Sequence, residues 1–108
     1  MPTILYTVRA TCPSLQVRGR FLSWLTPSHV LEVMAGGATA VRIVLPDRES
    51  DSAQAVVETQ YVFPSRKAFD DYIRDHASAL RTDGLKHFPP ESGVTYTRQV
   101  AEIATELP

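Results

Sequence analysis

Histidine is the side chain best suited to acid–base chemistry near neutral pH, and this chain contains three histidines. His29 follows Trp24 by five residues. We expect a surface or capping histidine beside a packed indole, and the alternative is a Trp-His pair that lines a pocket. His76 lies on the apolar stripe of a predicted helix. There a buried ring with one hydrogen bond is the expectation, and an acid–base or ligand role is the alternative. His87 lies in a predicted turn, where we expect it to be exposed.

The spacing of the remaining reactive groups does not fit a metal site, a phosphate loop or a nucleophilic triad. No H-x-x-H, H-E-x-x-H, paired-cysteine or G-x-S-x-G motif occurs. Gly36-Gly37 is not followed by the lysine or the further glycines that bind phosphate, and it predicts the end of a helix instead. Cys12 is the only cysteine; this excludes an internal disulfide, and we expect a small, partly buried loop residue. The sequence therefore predicts no metal and no cofactor.

Charged side chains on the predicted strands offer two further candidates. Arg42 and Glu58 lie on neighbouring strands, and we expect them to form a cross-strand ion pair. Strict alternation turns Arg98 towards the helices. That position is unfavourable for a charge unless Arg98 lies beyond the helices or pairs with an acid such as Asp75 or Asp83.

The elements that must position these groups are organised around one amphipathic helix, predicted over residues 65–80. Ser65 is a suitable N-cap after Pro64, and Gly84 is a suitable C-cap. Apolar and aromatic residues recur at the spacing of one helical face. They are Phe69, Tyr72, Ile73, His76, Ala77 and Leu80.

The other predicted elements give the order β-α-β-β-α-β. Strands are predicted over residues 3–10, 38–45, 54–63 and 94–103, and residues 47–53 form a polar loop. A helix begins at Leu15, and Thr26-Pro27 opens a second helical segment because proline is tolerated in a first turn. Two helices cannot cover both faces of a four-stranded sheet. The pattern therefore predicts an α+β, ferredoxin-like antiparallel sheet with both helices on one face.

Composition limits the class of protein and its partners. The 108 residues predict one domain, residues 1–108, with 44% hydrophobic residues and a net charge of −1. Without a basic stripe, a nucleic-acid or anionic-membrane partner is not expected. No apolar run is long enough to span a bilayer, and no signal peptide is recognisable. We expect a soluble, cytoplasmic protein.

The sheet face turned away from the helices combines valines with polar and charged residues. Val44, Val56 and Val62 would lie near one another in water if this face stayed open. We therefore expect it to pack against a second copy of the chain, with an open, solvated face as the alternative. The face comprises Leu5, Thr7, Arg9, Arg42, Val44, Val56, Glu58, Gln60, Val62, Thr95, Thr97 and Gln99. The alternate residues of these strands would point towards the helices; they are Ile4, Tyr6, Val8, Val41, Ile43, Val57, Thr59, Tyr61, Val94, Tyr96 and Val100.

Short motifs spread over nearly the whole chain resemble a bacterial family of proteins of unknown function that have this length and a ferredoxin-like fold. Ser78 and the long loop at residues 47–53 depart from its pattern, which affects loop details rather than the fold. The motifs are ILYTV, Trp24-Leu25, His29 to Met34 followed by Gly36, Gln60-Tyr61, Tyr72 with His76-Ala77, Leu80-Arg81, Phe88 and Arg98.

This resemblance implies kinship with the dimeric α+β barrels, which include small monooxygenases, isomerases, haem-degrading enzymes and ligand-sensing domains. The first hypothesis is a homodimer that binds a small molecule or a protein partner, with no assigned reaction. The alternative is a cofactor-independent monooxygenase or isomerase, and an interaction or regulatory module is a third. The candidate pocket residues are Trp24, His29, Tyr72, His76 and Arg98.

Overall fold

The computed structural model describes residues 2–47 and 55–108 and has the predicted βαββαβ order. The predicted loop at residues 47–53 lies, apart from Asp47, outside the described residues. The strands are β1 (Thr3–Cys12), β2 (Ala40–Val44), β3 (Ala55–Phe63) and β4 (Thr95–Ile103). They form one antiparallel sheet in the order β2-β3-β1-β4.

The first helical region lies between β1 and β2 and is broken at Thr26. Helix α1 (Leu15–Trp24) begins after Ser14, whose hydroxyl accepts a hydrogen bond from the Val17 amide. Thr26 has extended backbone angles, φ −121° and ψ 125°, as expected for a residue that precedes proline. A second helix, α2 (Val30–Ala35), follows. It ends at Gly36-Gly37, and Gly37 has φ +130°, which glycine adopts without steric cost.

The second helical region is one continuous helix with a π turn in its middle. Helix α3 (Arg66–Tyr72) leads into the π turn (Ile73–Ala77) and then into α4 (Ser78–His87). Ser65 is its N-cap, with its hydroxyl 3.0 Å from the Ala68 amide nitrogen, as predicted. The prediction that Gly84 ends the helix is wrong. Gly84 lies buried inside α4, and the helix continues to His87.

Both helical regions pack on the same face of the sheet. Ile4 and Tyr6 of β1 and Val57 of β3 are at most 3% exposed, and these are the positions that alternation assigned to the helix side. The Phe63 ring lies 5.3 Å from Phe69 and 5.1 Å from Tyr72 between ring centroids, so β3 and α3 share an aromatic core. The predicted ferredoxin-like architecture is confirmed.

Edge strand β4 is the least covered part of this face. Val94 is buried, but Val100 is 43% exposed and Arg98 is exposed. Arg98 therefore lies at the margin of the helices, where its side chain remains exposed, which is closest to the first of its two expected positions. It forms no ion pair with Asp75 or Asp83.

Two predictions about the strands are wrong. Cys12 is not a loop residue: β1 continues through it, and its side chain is fully buried. Arg42 and Glu58 are not partners, because the register places Arg42 opposite Gln60, which accepts hydrogen bonds of 2.7 and 3.0 Å from its guanidinium. Glu58 instead pairs with Arg9, with 2.6 Å between Nη1 and Oε2.

Within the described residues, no helix combines the length and the apolar character that are needed to span a bilayer.

Candidate functional site

A cavity of about 210 Å³ lies between the helix side of the sheet and the helices above it. Most of its wall is apolar or aromatic, and all four tyrosines of the chain contribute to it. Side chains of β1, β3 and β4 form the floor, while α1, α3, α4 and the segment around α2 form the roof. The floor consists of Tyr6, Val8, Thr59, Tyr61, Tyr96 and Arg98.

Strand register orders the floor into rows of paired residues. Tyr6 lies opposite Tyr61, and one row further along, Val8 lies between Thr59 and Arg98. Successive rows on one face are about 6.8 Å apart, since they are separated by two residues. The floor therefore has a tyrosine end and, further along β4, an end formed by Tyr96.

Trp24 forms the wall at the Tyr96 end. Its ring lies 5.5 Å from Phe21 and 4.3 Å from the His29 ring between centroids, and the interplanar angle with His29 is 29°. The broken helix produces this stack, because Trp24 ends α1 and His29 immediately precedes α2. Of the two expectations for His29, the structure combines parts of both: the ring packs against the indole and also lines the cavity.

His29 presents an unused polar atom in this wall. Its Nδ1 is buried and has no hydrogen-bond partner within the described residues. Burial lowers the pKa of the imidazole, and the nearby carboxylates of Glu32 and Asp83 oppose this effect. The ring is therefore neutral at pH 7, and one of its nitrogens can accept a proton or a hydrogen bond.

At the other end of the cavity, Arg81 is held beside three tyrosines. Its Nη2 donates a hydrogen bond of 3.1 Å to the hydroxyl of Tyr6, which is 3% exposed. The Tyr6 ring lies 6.1 Å from Tyr61 and 6.2 Å from Tyr72. Burial raises the pKa of Tyr72 to about 12, although the guanidinium groups of Arg81 and Arg98 act in the opposite direction. The Tyr72 hydroxyl is thus a neutral hydrogen-bonding group at pH 7.

Arg98 is the charged residue of the cavity floor and lies on edge strand β4. Its guanidinium carbon lies 5.5 Å from the centroid of the Tyr96 ring, a cation–π distance. The Tyr96 hydroxyl is buried without a partner in the described part of the chain. Burial also raises the pKa of Tyr96. Tyr96 therefore carries the second unpaired buried polar atom among the residues that line the cavity.

Of the five candidate pocket residues, the structure brings four together. Trp24, His29, Tyr72 and Arg98 line the cavity, whereas His76 lies outside it. The expectation of a buried His76 ring is wrong: the residue is exposed and its ring packs beside Tyr72 and over Gly36. The π turn causes this difference, because the buried stripe passes from Tyr72 to Ala77 and skips the positions between them.

His87 is exposed, as expected, at the end of α4, with its Nδ1 3.0 Å from the Asp83 carbonyl oxygen. Among residues 2–47 and 55–108, no three histidine, cysteine, aspartate or glutamate side chains are grouped as metal ligands would be.

Sequence reasoning missed several residues that line the cavity. Alternation places Tyr6, Tyr61 and Tyr96 on the helix side, but it does not distinguish them from ordinary core residues. The available signal was their hydroxyl groups, since each buried hydroxyl needs a partner or a polar space. Arg81 gave no such signal, because charged residues on helices are usually solvated.

Comparisons with known proteins agree with this fold. The chain is similar to a dimeric ferredoxin-like protein from an uncultured marine organism, with a TM-score of 0.71, 12% identity, and 99% of this chain and 100% of that chain covered. A second protein of that description from an uncultured marine organism gives 0.68, 13% identity and 97% of both chains. A candidate antibiotic biosynthesis monooxygenase from Bacillus cereus gives 0.70, 10% identity, and 100% and 99% coverage.

Identities this low indicate the fold and not the activity. No curated protein sequence matches the chain. Residues 3–103 match the family model described as a domain of unknown function (DUF4286), and since this match spans almost the whole chain, the protein belongs to that family.

Proposed function

We propose that the protein binds a small organic molecule with an apolar body in the cavity between its sheet and its helices. The cavity itself supports this proposal: aromatic walls surround a few convergent hydroxyl, imidazole and guanidinium groups, the usual composition of a ligand site. An apolar cavity of about 150 Å³ binds benzene. A space of about 210 Å³ is therefore suited to a bicyclic aromatic molecule.

Binding of 2-naphthol, measured by isothermal titration calorimetry, tests this proposal. In Gly84→Leu the leucine side chain extends from the buried side of α4, beside Trp24, and is expected to occupy the cavity. Gly19→Leu is the matched control, because no atom lies within 4 Å of a Cβ at that exposed position. We expect binding by the wild type and Gly19→Leu and its loss in Gly84→Leu. Absence of binding by the wild type, or equal binding by both variants, would contradict the proposal.

The protein is further proposed to form a homodimer through the open sheet face. Two of the similar structures are described as dimeric. On this face Leu5, Val56 and Val62 remain partly exposed, beside a shallow depression of about 440 Å³ lined by Arg42 and Gln60. A face-to-face dimer would cover these valines and enclose the depression. A stable interface needs roughly 800 Å² from each partner.

A cofactor-independent monooxygenase or isomerase is the second candidate function, and His29 favours it. A neutral imidazole with a free, buried nitrogen in an aromatic cavity is suited to accept a proton from a phenolic substrate. Dioxygen uptake with 1-naphthol, followed with an oxygen electrode, tests the monooxygenase. Uptake that His29→Phe abolishes would support it. If the rate of dioxygen uptake with wild type and with variant equals the rate in buffer alone, monooxygenase activity is excluded for this substrate class.

A further inference from the structure

We propose that the cavity selects an aromatic carboxylic acid, whose carboxylate is bound jointly by Arg81 and Arg98 while its ring lies towards Trp24. This inference rests on the proposed function and names the class of ligand. Arg81 lies on α4 and Arg98 on β4, so the two guanidinium groups reach the cavity from its roof and from its floor.

Arg81 is positioned before any ligand arrives. The Tyr6 hydroxyl accepts a hydrogen bond from its Nη2, and Tyr6 is fixed in the sheet core. A guanidinium group has five N–H donors, so this contact leaves four for other acceptors. Because Arg81 is already held in place, binding a ligand costs less conformational entropy than it would with a freely solvated arginine.

Arg98 lies between the tyrosine end and the Tyr96 end of the floor. Its β-register partner Val8 lies one row from Tyr6, the residue that holds Arg81. The contact with the face of the Tyr96 ring orients the guanidinium without using its N–H donors. Both arginines line the same cavity as Tyr72, and the charges of both lower the pKa of its hydroxyl against the effect of burial.

No negative charge in the described residues satisfies these two arginines. None of the residues that line the cavity is an aspartate or a glutamate. No carboxylate of residues 2–47 or 55–108 lies within ion-pair distance of Arg81 or Arg98. The lining of the cavity therefore carries a net positive charge, and planar guanidinium groups match the geometry of a carboxylate.

The end of the cavity formed by Phe21 and Trp24 is suited to an aromatic ring. Phe21 and Trp24 form a tilted aromatic pair there, with ring centroids 5.5 Å apart and an interplanar angle of 55°. Gly84 also lines the cavity and places no side chain beside the six-membered ring of Trp24. A carboxylate at one end and a ring at the other give the ligand one orientation.

The test compares 2-naphthoate with 2-naphthamide, two ligands of nearly the same shape that differ in charge, by isothermal titration calorimetry. We expect the wild type to bind 2-naphthoate about tenfold or more tightly than 2-naphthamide, as hydrogen bonds to a charged group allow. Arg81→Gln and Arg98→Gln should each lose about tenfold in naphthoate affinity and change naphthamide affinity less than about twofold. Arg42→Gln, on the open sheet face, is the matched control and should bind both ligands like the wild type.

The outcomes separate this inference from the proposed function. Equal affinities for the two ligands, or full naphthoate affinity in both cavity variants, would overturn the acid-selective site and leave the cavity as a site for neutral molecules. If neither ligand nor 2-naphthol binds, the proposed function fails and the inference fails with it. Because both arginines are exposed, unchanged thermal unfolding is the check that each variant is folded.

Discussion

The indole of Trp24 packs against Gly84, and a Cβ atom at Gly84 would lie 3.4 Å from the Trp24 Cη2 atom. That distance is an ordinary van der Waals contact, so alanine fits at this position. Glycine inside a helix costs about 0.5–1 kcal/mol relative to alanine. Gly84→Ala should therefore raise the free energy of unfolding by about that amount, measured by thermal or urea denaturation followed by circular dichroism.

The same substitution at Gly36 should have the opposite effect. A Cβ there would lie 2.9 Å from Cδ1 of Tyr72, which is 4% exposed and has little room to move. Overpacking of this kind costs about 1–3 kcal/mol. Gly36→Ala should lower the unfolding free energy under the same conditions. Destabilisation by Gly84→Ala, or a neutral Gly36→Ala, would show that these contacts are not as described.

The N-cap at Ser65 stabilises the long helix that carries Arg81. Its hydroxyl accepts a hydrogen bond from the Ala68 amide, and removing such a cap costs about 0.5–2 kcal/mol. We expect Ser65→Ala to lower the unfolding free energy within that range, measured by urea denaturation. Ser78→Ala is the matched control, since Ser78 is exposed inside the helix and alanine is a good helix former. A loss as large in the control would exclude the capping interpretation.

His29 should make the stability depend on pH. Burial has the largest effect on the pKa of His29 and lowers it. The carboxylates of Glu32 and Asp83 raise this pKa, and His87 lowers it. The unfolded chain therefore binds more protons than the folded chain below about pH 6.5, and the unfolding free energy falls as the pH decreases from there towards the folded pKa. In His29→Phe this fall should be smaller between pH 7 and 5, measured by urea denaturation at each pH. Identical slopes for the variant and the wild type would contradict the prediction.

A charge on the open sheet face should separate the proposed dimer. Val62 lies in register with Leu5 and Ala40 on that face, and a lysine there would be buried without a partner in a face-to-face dimer. Light scattering should give about 24 kDa for the wild type, twice the chain mass of 12.0 kDa, and about the chain mass for Val62→Lys. Leu31→Lys, at a site 58% exposed on α2, is the control that adds the same charge elsewhere. A wild-type mass of one chain, or a Val62→Lys variant of two, excludes this interface.

Alternation along single strands is a local property, and it correctly predicted which residues face the helices. Ile4 and Tyr6 on β1 and Val57 on β3 are buried as expected, because side chains of a strand alternate strictly between the two faces. Pairing between strands is not a local property. Alternation placed Arg42 and Glu58 on the same face, but the register joins Arg42 to Gln60 and Glu58 to Arg9.

The cavity was predictable only in part for a similar reason. The proximity of Trp24 and His29 in the sequence indicated one wall of it. The meeting of Arg81, Tyr6 and Arg98 depends on how far α4 is rotated about its axis above the sheet, and no periodicity of a regular helix gives that rotation. Cys12 is a second example of a position that the local sequence does not determine. Pro13 predicted a turn around Cys12, but β1 continues through Cys12 and ends directly before the proline.

The π turn has a consequence for recognising this site in related chains. The π turn adds one residue to the helix, and one residue corresponds to a rotation of about 100° about the helix axis. In a regular helix with the same N-cap at Ser65, Arg81 and Gly84 would therefore point about 100° away from the cavity. A relative with a regular helix would be one residue shorter between Tyr72 and Ala77. Its alignment to this chain therefore requires a single-residue gap at that point, and an ungapped alignment would match Arg81 to a residue on another side of the helix.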